Sequence, residues 1–213
     1  ILDAEAEHLT HEETAEIISQ KNPKLAVFVI YGQQPSASTQ CMPGGAKTCK
    51  LLNKITSGSI KTIIMGTHAS ALPKRTLEEE PYDFVCQGEG PITISNLIDE
   101  IKTNKENYEK IPGLWYRDKD NDIKSNVKSK MFDNLDKDLP GQNWNFLDMS
   151  KYKAHNWHTF GRLDTRNKYA SLQTSLGCPF KCTFCCINAP FERNTIRFWS
   201  AKHIFNQIKT LVE

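Results

Sequence analysis

Residues 25–30 read Leu-Ala-Val-Phe-Val-Ile, an apolar run that contains β-branched residues and no polar interruption. Such a run is typical of a strand that is covered on both faces of its sheet. Two further strands are predicted at Thr62-Ile-Ile-Met65 and Tyr82-Asp-Phe-Val-Cys86, and a helix is predicted from Ile92 to about Lys102. The repeated order of strand, loop and helix predicts an α/β fold, a doubly wound, Rossmann-like parallel sheet with helices on both faces.

Local signals predict the other elements of this first domain. Thr10-His-Glu-Glu13 has the spacing of a capping box and predicts a helix that ends before Pro23. The segment from Gly32 to Gly45 is rich in Gln, Ser, Pro and Gly, which predicts a loop before a helix at residues 46–55. The segment from Gly113 to Ile123 is typical of an appended hairpin.

The pattern changes after the first domain, for which we predict residues 1–127. Residues 128–165 carry isolated aromatic side chains among Asp, Asn, Lys and Pro, which predicts an ordered linker. Residues 166–213 begin a second domain with the strand Tyr169-Ala-Ser-Leu-Gln173 and end with an amphipathic helix at residues 200–212. A complete eightfold barrel takes about 250 residues, so we expect this domain to be partial and the chain to be truncated at both ends.

A short loop in the second domain carries three cysteines. Gly177-Cys-Pro-Phe-Lys-Cys-Thr-Phe-Cys185 has the spacing C-x-x-x-C-x-x-C. Three thiolates can hold three irons of a cubane cluster and leave the fourth iron without a protein ligand. The alternative is a zinc site with Cys186 or a histidine as fourth ligand, although zinc loops favour paired C-x-x-C units.

The cysteine count and the charge limit the possible classes of protein. The seven cysteines are an odd number and four of them lie within residues 178–186, a poor basis for disulfides that indicates a reducing, cytoplasmic compartment. The other three, Cys41, Cys49 and Cys86, are predicted to be core or near-surface thiols. The net charge of +2 gives no electrostatic case for nucleic acid. No run approaches the roughly 18 apolar residues of a membrane helix.

The three-cysteine loop, with Phe184 before its last cysteine, resembles that of radical S-adenosylmethionine (SAM) enzymes. The first domain resembles the cobalamin-binding domain that is a common partner module in that superfamily. This second resemblance rests on Gly66-Thr-His-Ala-Ser-Ala-Leu-Pro73, Asp83-Phe-Val-Cys-Gln-Gly-Glu-Gly-Pro91 and Ile111-Pro-Gly-Leu-Trp-Tyr-Arg117. The chain is therefore identified as similar to cobalamin-dependent radical SAM enzymes, and residues 166–213 are expected to form the first strand–helix unit of a partial TIM-type barrel.

The resemblance implies that Cys178, Cys182 and Cys185 bind a [4Fe–4S] cluster as thiolates and that the open iron binds SAM. An electron, supplied by a donor such as flavodoxin or ferredoxin, would then cleave SAM to give a 5′-deoxyadenosyl radical. Methyl transfer to an unactivated carbon of a small-molecule or lipid-like substrate, with cobalamin as methyl carrier, is the commonest outcome; rearrangement and cyclisation are others. The resemblance assigns a catalytic role to no residue.

Cobalamin is expected at the carboxyl ends of the strands, where doubly wound sheets bind their ligands. The predicted cofactor-binding residues are small or polar: Gly66, Thr67, His68, Ser70, Gly88, Glu89 and Gly90. Each polar residue of this set also has a structural alternative. His68 could be a loop histidine hydrogen-bonded to backbone, Thr67 and Ser70 could cap a helix, and Glu89 could be a solvated carboxylate. The loop from Tyr31 to Ser38 contains no histidine, so we expect no histidine ligand to cobalt from that loop.

Two other classes of protein fit the same residues. One is a non-catalytic cobalamin-binding or corrinoid-carrier module with a vestigial cluster loop. The other is a zinc-stabilised interaction domain. Anaerobic reconstitution distinguishes these two classes from the radical SAM enzyme. A retained iron–sulfur cluster indicates the enzyme, cobalamin without a cluster indicates the carrier, and zinc indicates the interaction domain.

Overall fold

The computed structural model divides the chain into two compact units. The described residues are 1–31, 37–103, 105–141, 143–154, 167–191 and 193–213. The larger α/β unit contains residues 11–131 and 177–195, and the small unit contains residues 1–10, 132–176 and 196–213. The domain limits predicted above stay predictions.

A five-stranded sheet with its strands in sequence order forms the centre of the α/β unit. The strands are β1 (Leu25–Val29), β2 (Lys61–Met65), β3 (Phe84–Cys86), β4 (Leu114–Arg117) and β5 (Ile123–Ser125). β1, β2 and β3 run parallel, with Val27 opposite Ile63 and Ile63 opposite Phe84. β4 pairs antiparallel with β3, and β5 with β4. The predicted hairpin is therefore an extension of the main sheet.

Helices lie on both faces of the sheet, as predicted, but one face of β1 is not covered, because Val27 and Val29 are 37% and 59% exposed. The helices are α1 (His11–Lys21), α2 (Ala37–Thr56), α3 (Thr67–Ala71), α4 (Pro73–Glu79) and α5 (Pro91–Thr103). On one face Met42 of α2 and Leu77 of α4 pack in a buried cluster with Ile64. On the other face Leu97 of α5 packs with Phe84. The α/β fold class is confirmed, and no helix in the described part of the chain is long and apolar enough to cross a membrane.

The start of α2 differs from the prediction. We predicted a loop as far as Gly45, whereas the helix begins at Ala37 and runs through Pro43. The helix packs closely at Gly45, because a Cβ there would lie 2.8 Å from Ile30 Cδ1 and 2.9 Å from the Tyr82 hydroxyl. Glycine permits close packing at this position, although in sequence it is read as a turn signal.

The small unit contains short elements. They are α6 (Leu135–Asp138), single 3₁₀ turns at Trp144–Phe146 and Met149–Lys151, β6 (Ser175–Gly177), β7 (Ile196–Phe198) and α7 (Ala201–Val212). The strand predicted at residues 169–173 is wrong: it forms at β6, where β7 provides a partner for its backbone. The predicted terminal helix is confirmed as α7, and the Ser200 hydroxyl caps it by accepting the His203 N–H at 3.1 Å. The predicted linker, residues 128–165, stays a prediction, and residues 155–166 lie outside the described residues.

Candidate cofactor-binding loops

The loops that follow β2 and β3 are joined by hydrogen bonds. Ser70 Oγ accepts the Gly88 N–H at 3.2 Å, and the Ser70 carbonyl accepts from Gln87 Nε2 at 3.4 Å. Gln87 is held from the other side as well, since its N–H donates to the Gly113 carbonyl at 2.8 Å and its Oε1 accepts from Trp115 Nε1 at 2.9 Å. The structure therefore brings together the two groups of residues that were predicted to bind cobalamin.

Gly66 and Ser38 shape the loop after β2. Gly66 has φ +152°, and a Cβ there would overlap the Ile30 carbonyl oxygen. Ser38 of α2 is 1% exposed, donates its Oγ hydrogen to that same carbonyl at 2.6 Å and accepts the His68 N–H at 3.1 Å. Ser38 thus ties α2 to the end of β1 and the start of α3. Sequence reasoning missed it, because a serine in a predicted loop gives no signal of this role.

His68 is half-buried and has a side-chain partner on α2. Its Nδ1 lies 2.9 Å from Thr39 Oγ1, so the bond is to a hydroxyl and not to backbone. Burial, helped by the Arg75 cation, lowers the pKa of His68 below its ordinary value. Both effects favour the neutral form of the imidazole. Its contact with cobalamin stays a prediction.

The lowered pKa of His68 predicts a pH dependence of stability. A histidine whose pKa is lower in the folded state adds stability that is present above its unfolded pKa of about 6.5 and is lost as the pH falls. The variant His68→Gln keeps a polar side chain that does not titrate. We expect the wild type to lose more stability than this variant between about pH 7 and about pH 5. Urea unfolding midpoints at several pH values test this, and parallel pH profiles would contradict it.

The remaining predicted cobalamin residues are mostly buried. Thr67 and Ser70 are 6% and 2% exposed, and neither side chain caps α3. Gly90 has φ +104° and is packed so closely that a Cβ would lie 2.5 Å from Met65 Cε. Glu89 is half-buried. Any ligand of this region would therefore meet main chain more than side chains.

All seven cysteines lie within the described ranges and are free thiols. Cys178 is half-buried, whereas Cys182 and Cys185 are exposed. Three free thiols on one loop have the donor chemistry of an iron–sulfur cluster site. Among the described residues, however, no three His, Cys, Asp or Glu side chains lie close enough together to hold a metal ion. The assignment of these cysteines as cluster ligands stays a prediction.

The other cysteines differ in environment. Burial raises the pKa of Cys49 to about 12 and that of Cys86 to about 11, so both are protonated core thiols, as predicted. Cys41 is exposed on α2, as a near-surface thiol. Cys186 is half-buried beside the third loop cysteine.

Asn188 is a second residue that sequence reasoning missed. Its Oδ1 accepts the Cys178 N–H at 3.0 Å, and its Nδ2 donates to the Cys178 carbonyl at 2.9 Å. A single asparagine beyond a cysteine motif gives no signal of such a bond. The first cysteine of the loop is thereby held through its backbone.

The end of the cysteine loop (residues 177–195) approaches the loop after β3 within the α/β unit. A Cβ at Gly88 would lie 3.9 Å from the Pro190 carbonyl oxygen. A cleft of about 110 Å³ opens here, lined by residues 87–89, 128, 129, 131 and 189–191. It is smaller than the roughly 300–1,000 Å³ of ordinary ligand pockets, and as it stands it holds only a small group.

The fold of the chain is similar to that of a solved enzyme. It superposes on the radical SAM methyltransferase TsrM from Kitasatospora setae, solved with cobalamin and a [4Fe–4S] cluster bound, with a TM-score of 0.63. The likeness covers 94% of this chain and 37% of that one at 13% sequence identity. The predicted resemblance to cobalamin-dependent radical SAM enzymes is confirmed for the fold of most of the chain.

The chain has sequence relatives among methyltransferases and cyclases, although no family model matches it. An uncharacterized methyltransferase of Pyrococcus horikoshii is 26% identical over 212 residues, which are 99% of this chain and 41% of that protein. An anaerobic magnesium-protoporphyrin IX monomethyl ester cyclase of Cereibacter sphaeroides is 24% identical over 187 residues, 86% of this chain and 28% of the cyclase. The chain thus spans less than half the length of either relative.

Proposed function

We propose that this chain is part of a cobalamin-dependent radical SAM methyltransferase. Cys178, Cys182 and Cys185 would hold the [4Fe–4S] cluster, and the loops after β2 and β3 would hold cobalamin. The observation that carries the proposal is a loop of three free thiols in the same compact unit as those loops, with Pro190 near Gly88. Similarity to a methyltransferase supports methyl transfer, and an unactivated carbon is the proposed acceptor.

When bound, the cluster would supply the electron that cleaves SAM, and cobalamin would carry the methyl group. The residues of this chain have the tasks of binding and positioning. Cys182 and Cys185 are exposed and therefore accessible to iron, and cluster binding requires the loop to draw the three thiols together. The Ser70 and Gln87 hydrogen bonds join the two loops that would hold cobalamin. A flavodoxin or ferredoxin would provide the electron.

Ring closure is a second candidate reaction, favoured by the similarity to the cyclase. Both candidates use the same cofactor loops, so these loops do not distinguish them. SAM labelled in its methyl group separates them in the full-length enzyme. Methyl transfer places the label in the product, and ring closure does not.

Anaerobic reconstitution with iron and sulfide, followed by addition of SAM, tests the proposed function. We expect about four irons per chain and an EPR signal of the reduced cluster that changes when SAM is added. Adenosine, which lacks the amino and carboxylate groups that bind the open iron, is the matched control and should leave the signal unchanged. Retained cobalamin without a cluster would favour a corrinoid carrier instead. Bound zinc without a cluster would favour the zinc-stabilised domain.

A further inference from the structure

The side-chain amide of Asn188 pairs with the backbone of Cys178 in both directions, as one strand residue pairs with another. It accepts the Cys178 N–H at 3.0 Å and donates to the Cys178 carbonyl at 2.9 Å. The same Nδ2 lies 3.4 Å from the Phe180 carbonyl and 3.0 Å from Asn194 Oδ1. One side chain therefore contacts the first part of the cysteine loop at three points.

The two hydrogen bonds between the Asn188 side chain and the Cys178 backbone, here called the clamp, enclose the whole cysteine motif. Asn188 lies beyond the third cysteine, and its side chain returns to the first. Between them the chain turns twice, with Cys185 N–H donating to the Cys182 carbonyl at 3.2 Å and Ala189 N–H donating to the Cys186 carbonyl at 2.9 Å. The first cysteine of the motif and the residue three positions after the last are thus joined by hydrogen bonds that need no metal.

A carboxamide carries the donor and the acceptor of this pair on one planar group. Aspartate accepts but does not donate when ionised, and alanine does neither. A backbone that is already fixed has less conformational entropy to lose when its side chain binds a ligand. Preorganisation of this kind is how a supporting residue improves a metal site without touching the metal.

We propose that Asn188 is a positioning residue for the cluster, which fixes the backbone of Cys178 so that the other two thiols close onto it. This inference rests on the proposed function. The exposure of the three cysteines agrees with a fixed Cys178 and two thiols that move toward it. Cys178 is half-buried and its backbone is hydrogen-bonded, whereas Cys182 and Cys185 are exposed. The thiols themselves remain in every Asn188 variant, so the effect of a variant is on retention of the cluster.

Three variants, Asn188→Ala, Asn188→Asp and Asn194→Ala, distinguish the effects of the individual hydrogen bonds of Asn188. In the protein without metal, hydrogen exchange at the Cys178 amide should be fast in Asn188→Ala and remain slow in Asn188→Asp, which keeps the acceptor. After reconstitution, anaerobic iron loss to a chelator should be roughly tenfold faster in Asn188→Ala than in wild type. Asn194→Ala removes only the exposed partner and should change this rate less than about twofold.

The readouts distinguish positioning from general stability. The far-UV circular dichroism and the unfolding midpoint should stay near wild type while the rate of iron loss and the EPR line shape of the reduced cluster change. Asn188→Asp lacks the donor to the Cys178 carbonyl and should also lose iron faster than wild type. Equal rates of iron loss in wild type and in either folded Asn188 variant would overturn the inference. If the wild type binds no cluster, the proposed function fails. The exchange measurement would then still show whether the clamp exists in solution.

Discussion

Alanine at Cys178, Cys182 or Cys185 is expected to reduce reconstituted iron from about four per chain to near zero. Each thiolate would be the only protein ligand of one iron, so its removal would leave a second iron of the cubane without a protein ligand. Two thiolates do not retain a cubane in competition with free sulfide and chelators. Colorimetric iron and visible absorption after desalting measure the effect.

Alanine at Cys186 is the matched control for these variants. It removes the same atom from the adjacent residue, and the turn at this position is made by the Cys186 carbonyl, which alanine retains. We therefore expect iron close to the wild-type value. Loss of iron equal to that of the other three variants would make Cys186 a fourth ligand. The cluster would then have no open iron, and the radical SAM proposal would be contradicted.

Alanine at Gly66 is expected to destabilise the α/β unit by about 3 kcal/mol or more. The added Cβ would overlap the Ile30 carbonyl oxygen and lie 3.3 Å from Ser38 Oγ. That carbonyl cannot move away easily, because it accepts the Ser38 hydroxyl at 2.6 Å and the Ile30 N–H is bonded to the Met65 carbonyl at 2.8 Å. The backbone at φ +152° adds its own strain.

Gly58 provides the control for steric overlap. It has a positive φ of +73° but no atom within 4 Å of a Cβ built on it, so alanine there meets backbone strain alone. We expect Gly58→Ala to cost about 1 kcal/mol. Urea unfolding followed by far-UV circular dichroism compares the two variants with wild type. Equal losses would show that close approach to Ile30 does not decide the effect at Gly66.

The substitution Gly66→Ala should also disturb the candidate cobalamin-binding loops. Ser38 bridges the Ile30 carbonyl and the His68 N–H, so a displaced carbonyl breaks the link between α2 and α3. Ser70 follows in the same short helix and holds Gly88. We therefore expect Gly66→Ala to disturb the loop after β2 and the loop after β3 together.

The central sheet was predictable because its signals are local. A continuous run of apolar, β-branched residues such as Leu25–Val29 predicts a strand, and the strand is present, but the predicted cover on both faces is wrong because Val27 and Val29 are exposed. The helix after Thr10 follows from capping chemistry contained within a few residues. The cysteine spacing is also local, and it indicated a cluster loop without any knowledge of the surrounding fold.

The structure decided whatever depends on partners distant in the chain. The start of α2 was mispredicted because Gly45 packs against Ile30 and Tyr82, neither of which lies next to it in sequence. The second-domain strand forms at β6 because β7 lies beyond the cysteine loop and pairs there.

The sequence by itself determined the kinds of element and the donor chemistry, since both depend on neighbouring residues alone. Only the tertiary structure determined which polar side chains hold the site. Ser38 satisfies the Ile30 carbonyl and the His68 N–H, and Asn188 satisfies both polar groups of the Cys178 backbone. A hydrogen bond of this kind forms between groups that folding brings within about 3 Å, and no local pattern records that distance.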